Sequence, residues 1–439
     1  MDIEHFESLY PEDTRFVEIE KILSFVKEGN SCQIVSIPGV GRSNLLGLLA
    51  YNTKVREKHL GENQKNFHFV YLNFSEIKKK PLVEATKFIF LSLIDSLRER
   101  KMLKEYEIVN NIFKDSMQVK DELVIFSGLK KTIDYLALEK NLNIVFLFDR
   151  FEEYISVLDS EFFANLRVLR NRAKYKFSVI FSLNRPLEET LEATLMSDFY
   201  EFVAGKIVYI PLYDKIGMDF RISYLEKITN KKINKNLLDD IFDLTAGHSN
   251  LMRLCAESSL SAKQEFENKL ELRRFFLEQK SIRSALFGIW NHLTPAEQIS
   301  FATNNLKGLN HLENTELIKD GVVTISLFSD YVKEKSSLLN NQQIQINEFG
   351  EIVKGDINFS DRLTSLEFKL LKFLIENKDR IIEKEEIINA VWGDQKTVLG
   401  VTDQALDQLI FRLRKKIEDN PNLPQYVQTI KGRGFKFGN

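Results

Sequence analysis

The segment Leu406-Asp407-Gln408-Leu409-Ile410-Phe411-Arg412-Leu413-Arg414-Lys415-Lys416-Ile417, followed by Tyr426-Val427-Gln428-Thr429-Ile430-Lys431-Gly432-Arg433-Gly434-Phe435-Lys436-Phe437, decides how the end of this chain folds. Leu406, Leu409, Ile410, Leu413 and Ile417 recur at helical spacing, which predicts a helix from about Thr402 to Glu418 with one buried face. At ~100° per residue the opposite face presents Gln404, Gln408, Phe411 and Lys415, flanked by Arg412 and Arg414. The second stretch alternates around Gly432 and Gly434 and predicts a hairpin with Lys431 and Arg433 near its tip. Upstream, Thr364 and Glu367 make a capping box at the start of one helix, and Glu383 to Val391 reads as another.

The chain has 439 residues, 44% of them hydrophobic and 28% charged, with a net charge of −2. At roughly 150 residues per domain this suggests about three globular units. A polyanionic partner must therefore be met by a local patch rather than by overall charge. One exists: from Arg412 onward, Arg412, Arg414, Lys415, Lys416, Lys431, Arg433 and Lys436 face only Glu418 and Asp419. Cys32 and Cys255, far apart in apolar contexts, read as buried free thiols in a reducing compartment. The six histidines lack metal-ligand spacing. No signal peptide is read at the amino terminus, and runs such as Ile144 to Phe148 are far short of the ~20 residues a membrane helix needs. A cytoplasmic protein without a membrane partner is expected.

Strands and helices alternate through the first half. Gln33 to Ser36, Phe67 to Asn73, Ile144 to Phe148, Phe177 to Ser182 and Ile207 to Ile210 read as near-continuous apolar strands, which implies a parallel sheet covered on both faces. Ser36-Ile37-Pro38-Gly39-Val40-Gly41-Arg42-Ser43-Asn44 lies between the first strand and a helix, where glycines let backbone N–H groups converge on phosphate. Ser36 and Arg42 replace the usual first glycine and lysine, so a tight turn without a ligand stays open as an alternative. Asp149 ends the third strand as a magnesium-holding carboxylate would, but Arg150 follows where a second acid is usual, with Glu152 and Glu153 beyond it. Asn184-Arg185-Pro186 follows the fourth strand. Leu293-Thr294-Pro295-Ala296-Glu297 is another capped helix start, and Asp320 to Ser326 reads as a hairpin wing.

Over about Pro11 to Lys335 this order of motifs resembles the STAND and Orc/Cdc6-like branches of the AAA+ ATPases. The resemblance implies an ATP/ADP and Mg²⁺ site with Pro38 to Asn44 on the phosphates and Ser43 and Asp149 on the metal. It places Arg15 near the adenine, Arg185 as a sensor of the terminal phosphate and Glu152 as the remaining acid. Arg42 keeps an attraction for phosphate without reproducing a compact ammonium. With Arg150 displacing the obvious base, a weak ATPase at most is expected. From Leu363 to Phe437 the chain resembles the winged-helix DNA-binding domain of OmpR/PhoB-type regulators. That resemblance implies contact with double-stranded DNA by Arg412 and Arg414 on the recognition helix and by Thr429 and Lys431 in the wing. The exposed-face pattern adds Gln404, Gln408, Phe411, Lys415 and Arg433. Leu409 and Phe411 stand where the family often has polar residues.

The expected architecture is α/β multidomain: a P-loop parallel sheet (1–212) with a helical lid (213–280), followed by two winged-helix units (281–335 and 344–439) joined by a polar linker (336–343). The expected function is nucleotide-controlled transcription regulation, with homo-oligomers and RNA polymerase as further partners. The alternative is a STAND-type signalling ATPase, a defence or stress sensor acting by oligomerisation and protein contacts. A phosphorylated receiver is disfavoured, since no acidic cluster with a phospho-acceptor aspartate is present.

Overall fold

The computed structural model describes residues 5–118, 121–262, 266, 268–342, 344–347, 350–354, 357–393, 402–418, 420–421 and 423–438. The chain divides into two compact units, Met1–Val332 and Lys333–Asn439. In the first, β1 (Cys32–Val35), β2 (Phe67–Asn73), β3 (Asn143–Asp149), β4 (Phe177–Leu183) and β5 (Ile207–Tyr209) form one sheet in the order β2-β3-β4-β1-β5. Every pairing is parallel. The chain leaves β1 toward β2 on one side and returns past it to β5 on the other. The direction of winding thus reverses at β1, and the crevice beyond the carboxyl ends of β1 and β4 is where such sheets receive ligands.

Alternation along the strands feeds two cores. Ile34, Val145, Leu147 and Ile180 face one side, Val35, Phe146, Phe148 and Phe181 the other. The second side is rich in phenylalanine, with Phe74, Phe151 and Phe162 packed on Phe148 and Phe163 on Phe181. The first side is continuous with the helices Lys215–Thr229, Lys235–Thr245 and Ser249–Ser261 and with a following segment that contributes Leu286, Trp290, Phe301 and Phe328. That segment starts its Pro295–Ala302 helix with a complete capping box between Thr294 and Glu297. Its short hairpin is β6 (Ile318–Lys319) with β7 (Val322–Val323); the expected wing, Asp320 to Ser326, overlaps only the turn and β7, and Ser326 already begins a helix. The following helix runs Ser326–Gln342, through the stretch read as a linker.

The second unit opens with β8 (Ile344–Ile346), β9 (Ile352–Lys354) and β10 (Ile357–Asn358), an antiparallel sheet that the sequence reading did not include. The helices Ser365–Glu376, Lys384–Trp392 and Asp403–Ile417 follow, with β11 (Ile381–Ile382) between the first two. β12 (Val427–Ile430) and β13 (Gly434–Phe437) form the hairpin, and β13 also pairs with β11. Its core joins Leu370, Leu374, Ile387 and Val391 to Leu406, Leu409, Ile410, Leu413 and Ile417. The Thr364 and Glu367 capping box is complete, and Lys416 Nζ also donates to Glu367 at 2.6 Å.

Candidate functional site

Each of the two compact units carries one candidate site. The first is the turn Pro38–Gly41, at the reversal point of the sheet. Gly39 has φ +88°, and a Cβ there would lie 2.7 Å from His248 Cε1, so the close approach requires glycine. The Arg42–Tyr51 helix begins without a side-chain cap. Its first-turn N–H groups, lacking intrahelical acceptors, and the positive end of its dipole point into the crevice.

The turn's carbonyls are engaged instead by the start of the Ser249–Ser261 helix. His248 Nε2 lies 2.8 Å from the Pro38 carbonyl, Asn250 N–H donates to Gly39 at 3.0 Å, and Ser249 Oγ donates to Val40 at 2.9 Å. His248 Nδ1 accepts from Leu251 N–H, which places the ring proton on Nε2. Burial lowers this imidazole's pKa to about 4, so the ring is neutral.

Arg42 points across the crevice. Its Nη2 donates to Glu152 at 2.9 Å and to Asn184 at 2.5 Å, while Nη1 is buried without a hydrogen-bond partner among the described residues. Asp149 is buried at 1% exposure and accepts from the Tyr71 hydroxyl at 2.5 Å and the Arg150 N–H at 3.0 Å. Burial and the Asp149 charge raise the Tyr71 pKa, so the phenol stays a donor. Arg150 itself is half exposed and reaches Glu153. Arg185 forms ion pairs with Glu189 and with Glu297, the capping-box residue of the Pro295–Ala302 helix. Beside it, burial followed by the Arg185 charge lowers His292 to about 3 and His311 to about 4.

Arg15 is buried in a left-handed conformation and donates to the Pro211 and Val40 carbonyls. With Tyr10, Asn44, Asp214, Met218 and Arg221 it lines a cavity of about 30 Å³. That is room for about one water, far less than a purine, so a base enters only if these walls part. The structure thus gathers Arg42, Glu152 and Asn184 in one cluster, sets Asp149 against Tyr71, and pairs Arg185 with Glu297 at the start of the Pro295–Ala302 helix. Tyr71, Asn184, His248 and Glu297 enter the site through partners distant in sequence.

The second site is the Asp403–Ile417 helix with the β12–β13 wing. Gln404, Gln408, Phe411, Arg412 and Lys415 are exposed, with Lys415 Nζ 4.6 Å from the Phe411 ring centre. Leu409 is 1% exposed and belongs to the core, so Phe411 alone of the two noted departures faces outward. Asp403 and Asp407 on the first half of the helix pair with Lys384 at 3.4 and 2.9 Å. Arg414, expected on DNA, is half-buried and donates to the Val427 carbonyl and to Thr429 Oγ1, tying helix to wing. Glu418 makes a second tie: its carboxylate accepts from the N–H groups of Gln425, Tyr426 and Val427. Lys431 and Arg433 are exposed at the tip. Gly434 sits where a Cβ would collide with the Ile382 carbonyl, which lets β13 close on β11.

Residues 361–437 match the family "Transcriptional regulatory protein, C terminal". An uncharacterized transcriptional regulatory protein of Bacillus subtilis strain 168, YrkP, is 28% identical over 114 residues, 26% of this chain and 48% of that protein. The phosphate regulon transcriptional regulatory protein PhoB of Escherichia coli strain K12 is 39% identical over 71 residues, 16% of this chain and 29% of that one. The chain thus spans less than half the length of these curated relatives. Among solved structures, a Walker-type ATPase of Pyrococcus abyssi aligns with TM-score 0.45 and 11% identity over 76% of this chain and 98% of its own. Cdc6p of Pyrobaculum aerophilum aligns with TM-score 0.38 and 14% identity over 80% and 92%. Residues 361–437 carry both the fold and the sequence signature of the OmpR/PhoB-type C-terminal domain of transcriptional regulatory proteins.

Proposed function

We propose that the chain is a DNA-binding transcription regulator whose first unit binds ATP or ADP and whose nucleotide state alters how the second unit meets duplex DNA. The observation that carries this reading is the outer face of the Asp403–Ile417 helix. An amide-rich and basic stripe, anchored from behind by five buried apolar residues, stands beside a wing tipped by Lys431 and Arg433. Such a helix suits the major groove, and such a wing reaches the adjacent backbone or minor groove.

The nucleotide half rests on the uncapped Arg42–Tyr51 helix, the Gly39 approach and Arg42 itself, a set that fits a polyphosphate. Ser43 and Asp149 would hold Mg²⁺, which takes a hydroxyl and one carboxylate and leaves its other positions to phosphate and water. Bound there, the ion would offset phosphate charge. Hydrolysis is slow in this reading, because Arg150 follows Asp149 and Glu152 is paired with Arg42. Control would run through consecutive residues: Asn184 bonds Arg42, and Arg185 bonds Glu297 at the winged-helix start. A phosphate that draws Arg42 from Asn184 acts on the same strand end. It shifts the population only by its difference in affinity between the two arrangements.

DNA binding by the full-length protein in apo, ADP and Mg-ATP forms, with phosphate release followed in the same samples, tests this. Equal DNA affinity in all three removes the switch and leaves the DNA reader. Exposed Phe411 favours a second reading, a signalling ATPase whose last domain binds protein. In that case Lys431→Ala and Arg433→Ala leave nucleic-acid retention unchanged and ATP drives assembly. The regulator reading also expects pairing of copies on DNA and contact with RNA polymerase, which sedimentation with operator and polymerase would detect.

A further inference from the structure

The exposed helix face also says which bases it would read, an inference that rests on the DNA-binding reading above. Gln404, Gln408, Phe411 and Lys415 form one stripe at i, i+4, i+7 and i+11, and all four are exposed. The residues nearest the helix start are those that reach base edges when such a helix lies in the major groove, while later ones approach the backbone. On that first half the outward polar groups are two glutamines and two aspartates. Both aspartates are paired with Lys384. Among the described residues, the first arginine or lysine of this helix is Arg412.

Guanine in the major groove offers two acceptors and is met by an arginine or lysine fork. Adenine offers an acceptor and a donor side by side, the complement of a glutamine amide, and thymine offers a methyl group that an aromatic ring can cover. A helix start with amides forward and cations held back is therefore built for A·T pairs. Phe411 follows the amides on the same stripe. Phe411 is 48% exposed, and Lys415 Nζ, 4.6 Å from its ring centre, adds a charge toward phosphate.

We propose that Gln404, Gln408 and Phe411 are specificity-determining residues that select an A·T-rich major groove, the glutamines on adenine and Phe411 on thymine methyl. Arg412, Lys415, Lys431 and Arg433 supply sequence-independent attraction.

The test uses full-length protein and duplexes of equal length, one A·T-rich, one G·C-rich, one A·T-rich with adenine N7 replaced by carbon, and one with uracil for thymine. The N7 replacement strips an acceptor from the major groove and leaves the minor groove intact, so it separates helix reading from wing reading. Preference for A·T of roughly tenfold or more is expected, with most of it lost on the N7-replaced duplex and in Gln404→Ala/Gln408→Ala. That double variant should keep the wild-type salt dependence, and Phe411→Ala should cease to distinguish thymine from uracil. Equal binding to A·T and G·C duplexes, or a G·C preference, overturns the proposal while leaving DNA binding in place. So does an A·T preference that survives both the double variant and the N7 replacement, which would assign it to the wing and minor groove. Failure to bind any duplex would instead remove the DNA-binding reading itself.

Discussion

Replacing Lys431 and Arg433 together by alanine should halve the salt dependence of DNA binding. Among the described residues of the helix and wing, four exposed cations, Arg412, Lys415, Lys431 and Arg433, lie on the outer face and tip, whereas Arg414 is turned inward to Val427 and Thr429 and Lys416 is paired with Glu367. If each meets one phosphate, the slope of log affinity against log salt is about −3.6, at about −0.9 per phosphate. A rise from ~50 to ~200 mM salt then weakens wild-type binding about 150-fold, and the double variant, with a slope of about −1.8, only about 12-fold. Both side chains are exposed at a hairpin tip, so the fold should change in stability by no more than about 0.5 kcal/mol. Fluorescence anisotropy with a labelled duplex, titrated across that salt range, reads the slope directly. A double variant with the wild-type slope would refute the assignment of the wing to DNA, and a wild-type slope near zero would refute the basic face as a whole.

Glu418→Gln should loosen the wing by about 1–3 kcal/mol, because a charged acceptor of three backbone N–H groups is replaced by a neutral one. Hydrogen exchange should quicken at Gln425 to Val427 and remain slow at Leu413. His248, His292 and His311 are neutral when folded, with pKa values lowered to about 4, 3 and 4 by burial. The unfolded chain binds more protons below pH ~6.5, so their contribution is complete above that pH and is lost as pH falls toward 4. For His248 alone this is about 3 kcal/mol. In thermal melts, the gap between wild type and His248→Gln should shrink over that window, and a constant gap would contradict a neutral, buried ring. Glu152→Gln should raise ADP affinity, since it removes the carboxylate that competes with phosphate for Arg42. Calorimetry showing weaker binding would make Glu152 a ligand-side residue instead.

The sequence exposed those parts of the fold that local pattern determines. β2 runs Phe67–Asn73 as read, because a strand buried on nearly every residue leaves a continuous apolar run. Both capping boxes were legible because threonine and glutamate three residues apart bond each other's backbone. β8 to β10 were not, since two- and three-residue strands with Gln345 and Asn358 among them offer no period to detect. Ser336 to Gln343 reads as linker by composition, yet the backbone through Gln342 continues the helix, because serine, asparagine and glutamine occur in helices as well as in linkers. In the site, the turn and Asp149 could be found from spacing. The partners of Arg42, Asp149 and Arg185 could not, because Glu152, Tyr71 and Glu297 lie 110, 78 and 112 residues away. Arg414 and Leu409 show the finer limit. A helical wheel gives a face, but which long side chain folds back depends on the hairpin that packs beside it.

The helices beginning at Pro295 and Ser365 start in the same way, and each starting glutamate also receives a cation from elsewhere: Arg185 on Glu297, Lys416 on Glu367. One carboxylate in each case thus terminates a helix and fastens it to a distant element. Fraying of either helix end releases the carboxylate that the distant cation also holds, so the cap and the tertiary contact are coupled through one side chain. Loss of that one carboxylate should therefore loosen the helix start and the distant element together.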